Sequence, residues 1–270
     1  MSTQVIPDIV LFDMLELGTA EVVSAPVRLW DELDSGRLFD RAELQVSLFG
    51  DLTTAAADLL IKKYRCPEGV AENQDRTAFA TENIVSNAGG NLGGERVANG
   101  NFAVTTGWNT PGWSIAAGVA THSGSRSRLS RDVSTITAGG HLMRATVTDV
   151  GTGSWRFRAF IEGAKLPTER VDFIDEMALP SGSAAPYNFA RYVPNLPALT
   201  SGENVRAFFE VNNDNFAIDD VSLKQCNPFR QSSMMGFADV GSGVVFGFLP
   251  SASMAGIFMT ASIRRYRTLT

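Results

Sequence analysis

Histidine is nearly missing from this chain, with two in 270 residues, and cysteine is equally scarce. His122 and His141 have no metal-ligand spacing between them, which speaks against a histidine metal centre. Cys66 and Cys226 do not make a disulfide framework, and neither sits in a motif that would activate a thiol. They flank the central stretch, so a bridge is open to them if the flanks meet; two separate thiols are the alternative. Lysine occurs only at 62, 63, 165 and 224, leaving arginine as the main cation. Arginine suits interfaces and planar partners, although genome composition would produce the same bias.

A basic face is lacking too. The net charge of −6 and the pI near 5.0 argue against nucleic-acid binding, which requires cations to displace counterions. No apolar run reaches the roughly 18 residues of a membrane span, so no membrane insertion is expected. Met1 to Leu17 carries Asp8, Asp13 and Glu16 without a basic start, and so does not read as a signal peptide. Work outside a cell would then require another exit, such as lysis.

Catalytic signatures are equally thin. There is no Gly-x-Ser-x-Gly elbow, and the glycines of 89–94 lack the following Lys-Ser or Lys-Thr of a phosphate cradle. Asp172, Asp175 and Glu176 crowd one segment, whereas a glycosidase sets two carboxylates across a cleft. The sequence predicts a protein that is not an enzyme.

What is present is β pattern. With 25 Gly and 11 Pro the chain is rich in turn formers. Residues 41–49 alternate Leu44, Val46 and Leu48 against Gln45 and Ser47, which predicts a strand. Residues 60–65 read the same way, while 9–17 fits either a strand or a short helix. The glycine-rich 87–94 reads as a linker. Beyond it, strands are expected at 113–120, 141–147, 155–162, 171–177, 187–193, 205–211 and 216–223, with no helix between them. That is a β-sandwich pattern. After Pro228 the composition shifts again, with strands expected within 234–249 and at 257–266. Such a tail cannot bury a core alone. The reading is therefore a jelly-roll β-sandwich module at 96–224 inserted into a discontinuous all-β host domain, 1–95 plus 225–270.

Three motifs in the central stretch carry a family likeness: Val97-Ala-Asn-Gly-Asn-Phe102, Ser114-Ile-Ala-Ala-Gly-Val-Ala-Thr-His-Ser123 with Trp108 and Trp113, and Ile218-Asp-Asp-Val-Ser-Leu223. Together they resemble the carbohydrate-binding modules of the galactose-binding-like jelly-roll group, over about half the chain. Modules with this opening and the Gly-Val-Ala-Thr-His strand look like those of bacteriophage virion proteins. The flanking strands are similar in style to β domains of phage head and tail proteins. The resemblance implies a virion structural protein, a head decoration or tail component assembled in the host cytoplasm. It would act as a homo-oligomer among other virion proteins, with cell-surface glycans as further partners. The alternative is a glycan-binding adhesion or accessory module attached to a cell surface or an enzyme.

Many relatives hold a structural calcium between the opening and closing strands. The resemblance places Asn101 and Asp219 near that metal site. Asn101 stands where Asp is common and Ala103 where Glu is common, so the ligand set looks depleted for an ion that wants six to eight oxygens, and no cofactor is expected. Sugar sites pair an aromatic platform with polar groups. Trp113 and Trp155 lie in alternating strands and read as core. Trp108, beside Asn109 in an expected loop, is open to both readings, platform or core. Tyr187 is a further platform. Arg156 and Arg158 flank Phe157 and suit either an acidic sugar or a solvated face or subunit contact.

Overall fold

The computed structural model describes residues 2–25, 27, 41–52, 58–65, 78–84, 91–133, 135–149, 156–163, 170–178, 186–199, 206–211, 215–235 and 244–269. Every regular element among them is a strand. The chain divides into two compact units: residues 1–91 with 228–270, and the inserted residues 92–227. The composition-based boundaries at 96 and 224 fall a few residues inside the second unit.

The discontinuous unit contains β1 (Ser2–Glu16), β2 (Val22–Val23), β3 (Arg41–Phe49), β4 (Leu59–Arg65) and β5 (Ala78–Ile84). Past the insertion it adds β17 (Phe229–Met235), β18 (Val244–Pro250) and β19 (Phe258–Leu269). One sheet has the order β1-β19-β3-β17, the other β2-β18-β4-β5. The two ends of the chain therefore pair directly, Ser2 opposite Leu269 and Glu16 opposite Phe258. The alternation read at 41–49 sends Leu44, Val46 and Leu48 into the core, where Met259, Ala261 and Ile263 of β19 join them. The second sheet adds Leu59, Ile61, Phe246 and Phe248 to the same cluster, making a sandwich. Of the segment 9–17, ambiguous in sequence, 9–16 is strand, because β19 supplies an antiparallel partner, with register shifts between Val10 and Phe12 and between Phe12 and Leu15. Cys226 is buried at the end of the insertion; Cys66 lies outside the described residues.

The inserted unit runs through β6 (Asn91–Glu95), β7 (Trp108–Asn109), β8 (Trp113–Ala116), β9 (Val119–His122), β10 (Ser127–Asp132) and β11 (Gly139–Asp149). It continues with β12 (Arg156–Glu162), β13 (Arg170–Ala178), β14 (Tyr187–Leu196), β15 (Arg206–Val211) and β16 (Phe216–Asn227). A five-stranded sheet has the order β13-β12-β15-β10-β7. It faces a sheet of order β14-β11-β16-β9-β8, to which β6 adds by pairing with β16. Leu129, Ala159, Ile161, Phe209 and Val211 from the first meet Met143, Ala145, Val147, Phe189 and Phe216 from the second in one core.

Two local expectations change. The single strand expected at 113–120 is a hairpin, β8 with β9, because Ala117 (φ 52°) and Gly118 (φ 82°) both take the left-handed conformation of a primed turn. Part of the expected linker is β6. Its backbone is held by Glu95, whose carboxylate accepts the Leu223 amide at 2.8 Å and the Ser222 hydroxyl at 2.6 Å.

Candidate functional site

The opening and closing motifs meet at Gly100. The Val221 amide donates to the Gly100 carbonyl at 2.9 Å, and a Cβ on Gly100 would lie 1.8 Å from the Val221 carbonyl oxygen. Only glycine tolerates that approach. Around this junction Asn99 (φ 54°), Phe102 (φ 48°) and Asp220 (φ 49°) all hold left-handed backbone. Unusual backbone gathers where the surrounding structure over-determines it. Beside it lies a groove of about 580 Å3 on the outer face of β11, β14 and β16, lined by Glu95, Asn101, Arg144, Asn188, Asp220 and Lys224 among others.

The expected platform is not at this groove. Trp108 is 7% exposed, in a short strand paired to β10 rather than in a loop. Its ring packs on Phe102 (4.8 Å between centroids) and Phe209 (6.3 Å), and its indole N–H donates to the Asn99 carbonyl at 2.9 Å. The Arg131 guanidinium sits over the same ring at 6.0 Å. With its faces covered, Trp108 is core and offers no sugar platform. Two phenylalanines and an arginine chosen by the fold explain what loop-like flanks concealed. Asn109 is exposed opposite Ser130. Trp113 is also core, edge-on to Phe216. Trp155 lies outside the described residues, as do the side chains of Arg156 and Tyr187.

Arg158 belongs to a different structure. Register places Arg128, Glu210 and Arg158 in one row across β10, β15 and β12, and Ser130, Phe208 and Phe160 in the next. Glu210 is 2% exposed and receives Arg128 Nε at 2.7 Å, Arg126 at hydrogen-bond range and Arg158 Nη1 at 3.7 Å. Burial pushes the Glu210 carboxyl up, but the Arg128 and Arg126 guanidiniums outweigh it and hold the group below the ordinary glutamate value. Phe160 and Phe208 stack at 5.1 Å beneath the Arg128 guanidinium. Arg158 thus helps to neutralise a buried carboxylate. Sequence alternation put it on the outer face, but Arg126, Arg128 and Glu210 joined it only through cross-strand register.

The two residues set near a calcium site are separated by function. Asn101 is exposed and lines the groove; Asp219 is absent from that lining, and its neighbour Asp220 takes the place. Asp219 accepts the Asp220 amide at 2.7 Å, while burial raises its carboxyl above the usual aspartate value. Among the described residues no three His, Cys, Asp or Glu side chains group as a metal site.

Neither histidine faces the groove. His122 and His141 are both fully buried. The His141 Nδ1–H donates to the Gly139 carbonyl at 3.2 Å, and burial lowers its pKa, keeping the ring neutral.

No family model and no curated protein matches the chain. Among solved structures it is similar to the N-terminal CBM22 tandem domain of Paenibacillus barcinonensis Xyn10C, at 10% identity and TM-score 0.34, covering 83% of this chain and 98% of that one. It is also similar to the T13 particle of infectious bursal disease virus, at 8% identity and TM-score 0.23, over 99% of this chain and 76% of that one. The VP2 subviral particle of the same virus matches at 7% identity and TM-score 0.23, over 99% and 79%. At these scores the likenesses carry no functional weight. The class defined by the chain itself is an all-β protein in which one β-sandwich interrupts another.

Proposed function

We propose that the chain is a non-enzymatic structural protein of a phage or phage-like particle, a head decoration or tail component, that displays a carbohydrate-binding-module-like unit. The observation that supports this reading is the pairing of the chain's own ends: β1 and β19 complete one unit, and the second is spliced into it as a self-contained sandwich. Such an arrangement separates an assembly role from a display role along one chain. Among the described residues the 15-residue β1 lies at the edge of its sheet and exposes Val10, and edge strands are templates for pairing with further copies or other virion proteins. The full chain at assembly concentration should sediment as a homo-oligomer and co-purify with particles in stoichiometric amounts. A monomer absent from particles would overturn the reading.

A second reading, a glycan-binding adhesion module, is favoured by the polar groove beside Gly100. A broad glycan array probed with the full chain tests it, and silence across the array would remove it.

A further inference from the structure

The groove has a polarity that singles out one class of ligand. Along β16, Asp220, Ser222 and Lys224 face it in turn, spanning about 13 Å at the usual strand rise. Register places Arg144 opposite Ser222, and Thr146 and Asn188 beside the Asp220 end. The sheet is bulged there: Arg144 pairs with Ser222 and Thr146 with Asp219, so Asp220 and Val221 together oppose Ala145. A bulge re-aims a side chain, and here Asp220, at φ 49°, is directed into the groove.

The other carboxylate in the lining, Glu95, is already committed. Its oxygens accept from the amides of Arg96 (2.9 Å), Val97 (3.0 Å) and Leu223 (2.8 Å) and from the Ser222 hydroxyl (2.6 Å). Lys224 has no ion-pair partner among the described residues. Lys224 stands at one end of the groove, opposite Leu142, and Arg144, which has an interaction of its own, at the middle, opposite Ser222. The other end holds the Asp220 carboxylate with Asn188 and Thr146, whose hydroxyl donates to the Asn188 carbonyl at 2.8 Å and leaves the amide N–H groups of Asn188 as donors. Among the described residues no exposed aromatic ring lines it, and what they offer is charge and hydrogen bonds. Its volume lies within the usual range of small-ligand sites, about 300–1,000 Å3.

We infer that this groove binds a saccharide in which a single uronate ring adjoins a neutral ring. The carboxylate lies against Lys224 and Arg144, and the hydroxyls of the neighbouring ring donate to Asp220 and bond with Asn188 and Thr146. A ligand with anionic groups at both ends is repelled by Asp220, and a neutral one leaves Lys224 unanswered. The inference rests on the glycan-binding reading of the inserted unit and specifies its ligand and its site.

Calorimetric titration of the full chain with an aldobiouronic acid, one uronate ring joined to one neutral ring, tests it, with trigalacturonic acid, neutral galactotriose and glycerol phosphate as comparison probes. Saturable binding of the uronate is expected, weakened by added salt. Affinity should fall about tenfold or more in Lys224→Met and in Asp220→Asn, as for loss of one charge-assisted hydrogen bond. Both positions line an open groove, so unchanged thermal melts of the variants exclude misfolding as the cause. No saturable uronate binding, unchanged affinity in both variants, or equally tight glycerol phosphate binding would each overturn the inference. Binding of galactotriose or other neutral glycans without the uronate sinks only this assignment. A glycan array silent throughout sinks the glycan-binding reading with it.

Discussion

Trp108 shows how one residue changes meaning when its neighbours are known. In sequence it sits between Gly107 and Asn109 and looks presented; in the fold it fills the space between Phe102 and Phe209. Trp108→Ala should therefore cost about 3–5 kcal/mol of stability in the inserted unit, read as a lower denaturation midpoint, whatever it does to ligand. Loss of glycan binding with an unchanged midpoint would contradict the core assignment. Glu210 is the second residue to test. Its folded pKa is lowered, so the stabilisation it contributes is present above the ordinary glutamate value of 4.5 and is lost as pH falls through the folded value. Glu210→Gln leaves three guanidiniums without their shared carboxylate and should destabilise by about 2 kcal/mol at neutral pH, the arginines being partly solvated. In acid the difference should shrink, which denaturant melts across pH would show.

At the scale of elements, the decisive contact joins β6 and the loop after it to β16. The Asn-Gly-Asn-Phe opening and the Asp-Asp-Val-Ser closing are more than a hundred residues apart, yet Gly100 and Val221 exchange close backbone contact. Gly100→Ala must move the Val221 carbonyl and should cost about 3 kcal/mol or more, with amides of β6 and of 97–102 losing hydrogen-exchange protection first. Normal protection there would mean that the close approach is not needed. The polar strand β10 was hard to see for a related reason. Its sequence Ser-Arg-Leu-Ser-Arg-Asp sends only Leu129 and Ser130 to buried positions, so the alternation has little apolar amplitude. Cross-strand partners on β15 and β7, not its own pattern, make it a strand.

For the whole molecule, each unit has its own apolar cluster, Leu44, Phe246 and Ile263 in one and Leu129, Phe209 and Phe216 in the other. Scanning calorimetry of the full chain should resolve two transitions. Ile263→Ala, at a fully buried position of β19, should lower one of them by the equivalent of about 2–5 kcal/mol and leave the other in place. A single transition that moves as a whole would show the two cores to be thermodynamically coupled.

The all-β class was legible because period-2 alternation needs only local order, as in Leu44, Val46 and Leu48 or Ala207, Phe209 and Val211. The motifs at Gly100 and Asp220 were legible because a positive φ or a close approach restricts residue type at single positions. What the chain could not disclose by itself was anything set by register between strands far apart in sequence. Arg128, Glu210 and Arg158 become one row only when β10, β15 and β12 align. Trp108 becomes core only when β15 brings Phe209 beneath it. Asp220 lines the groove at the end away from Lys224 where a bulge interrupts the pairing of β16 with β11. Local residue preference writes the strands; non-local pairing decides which of their side chains meet, and a site is made of the side chains that meet.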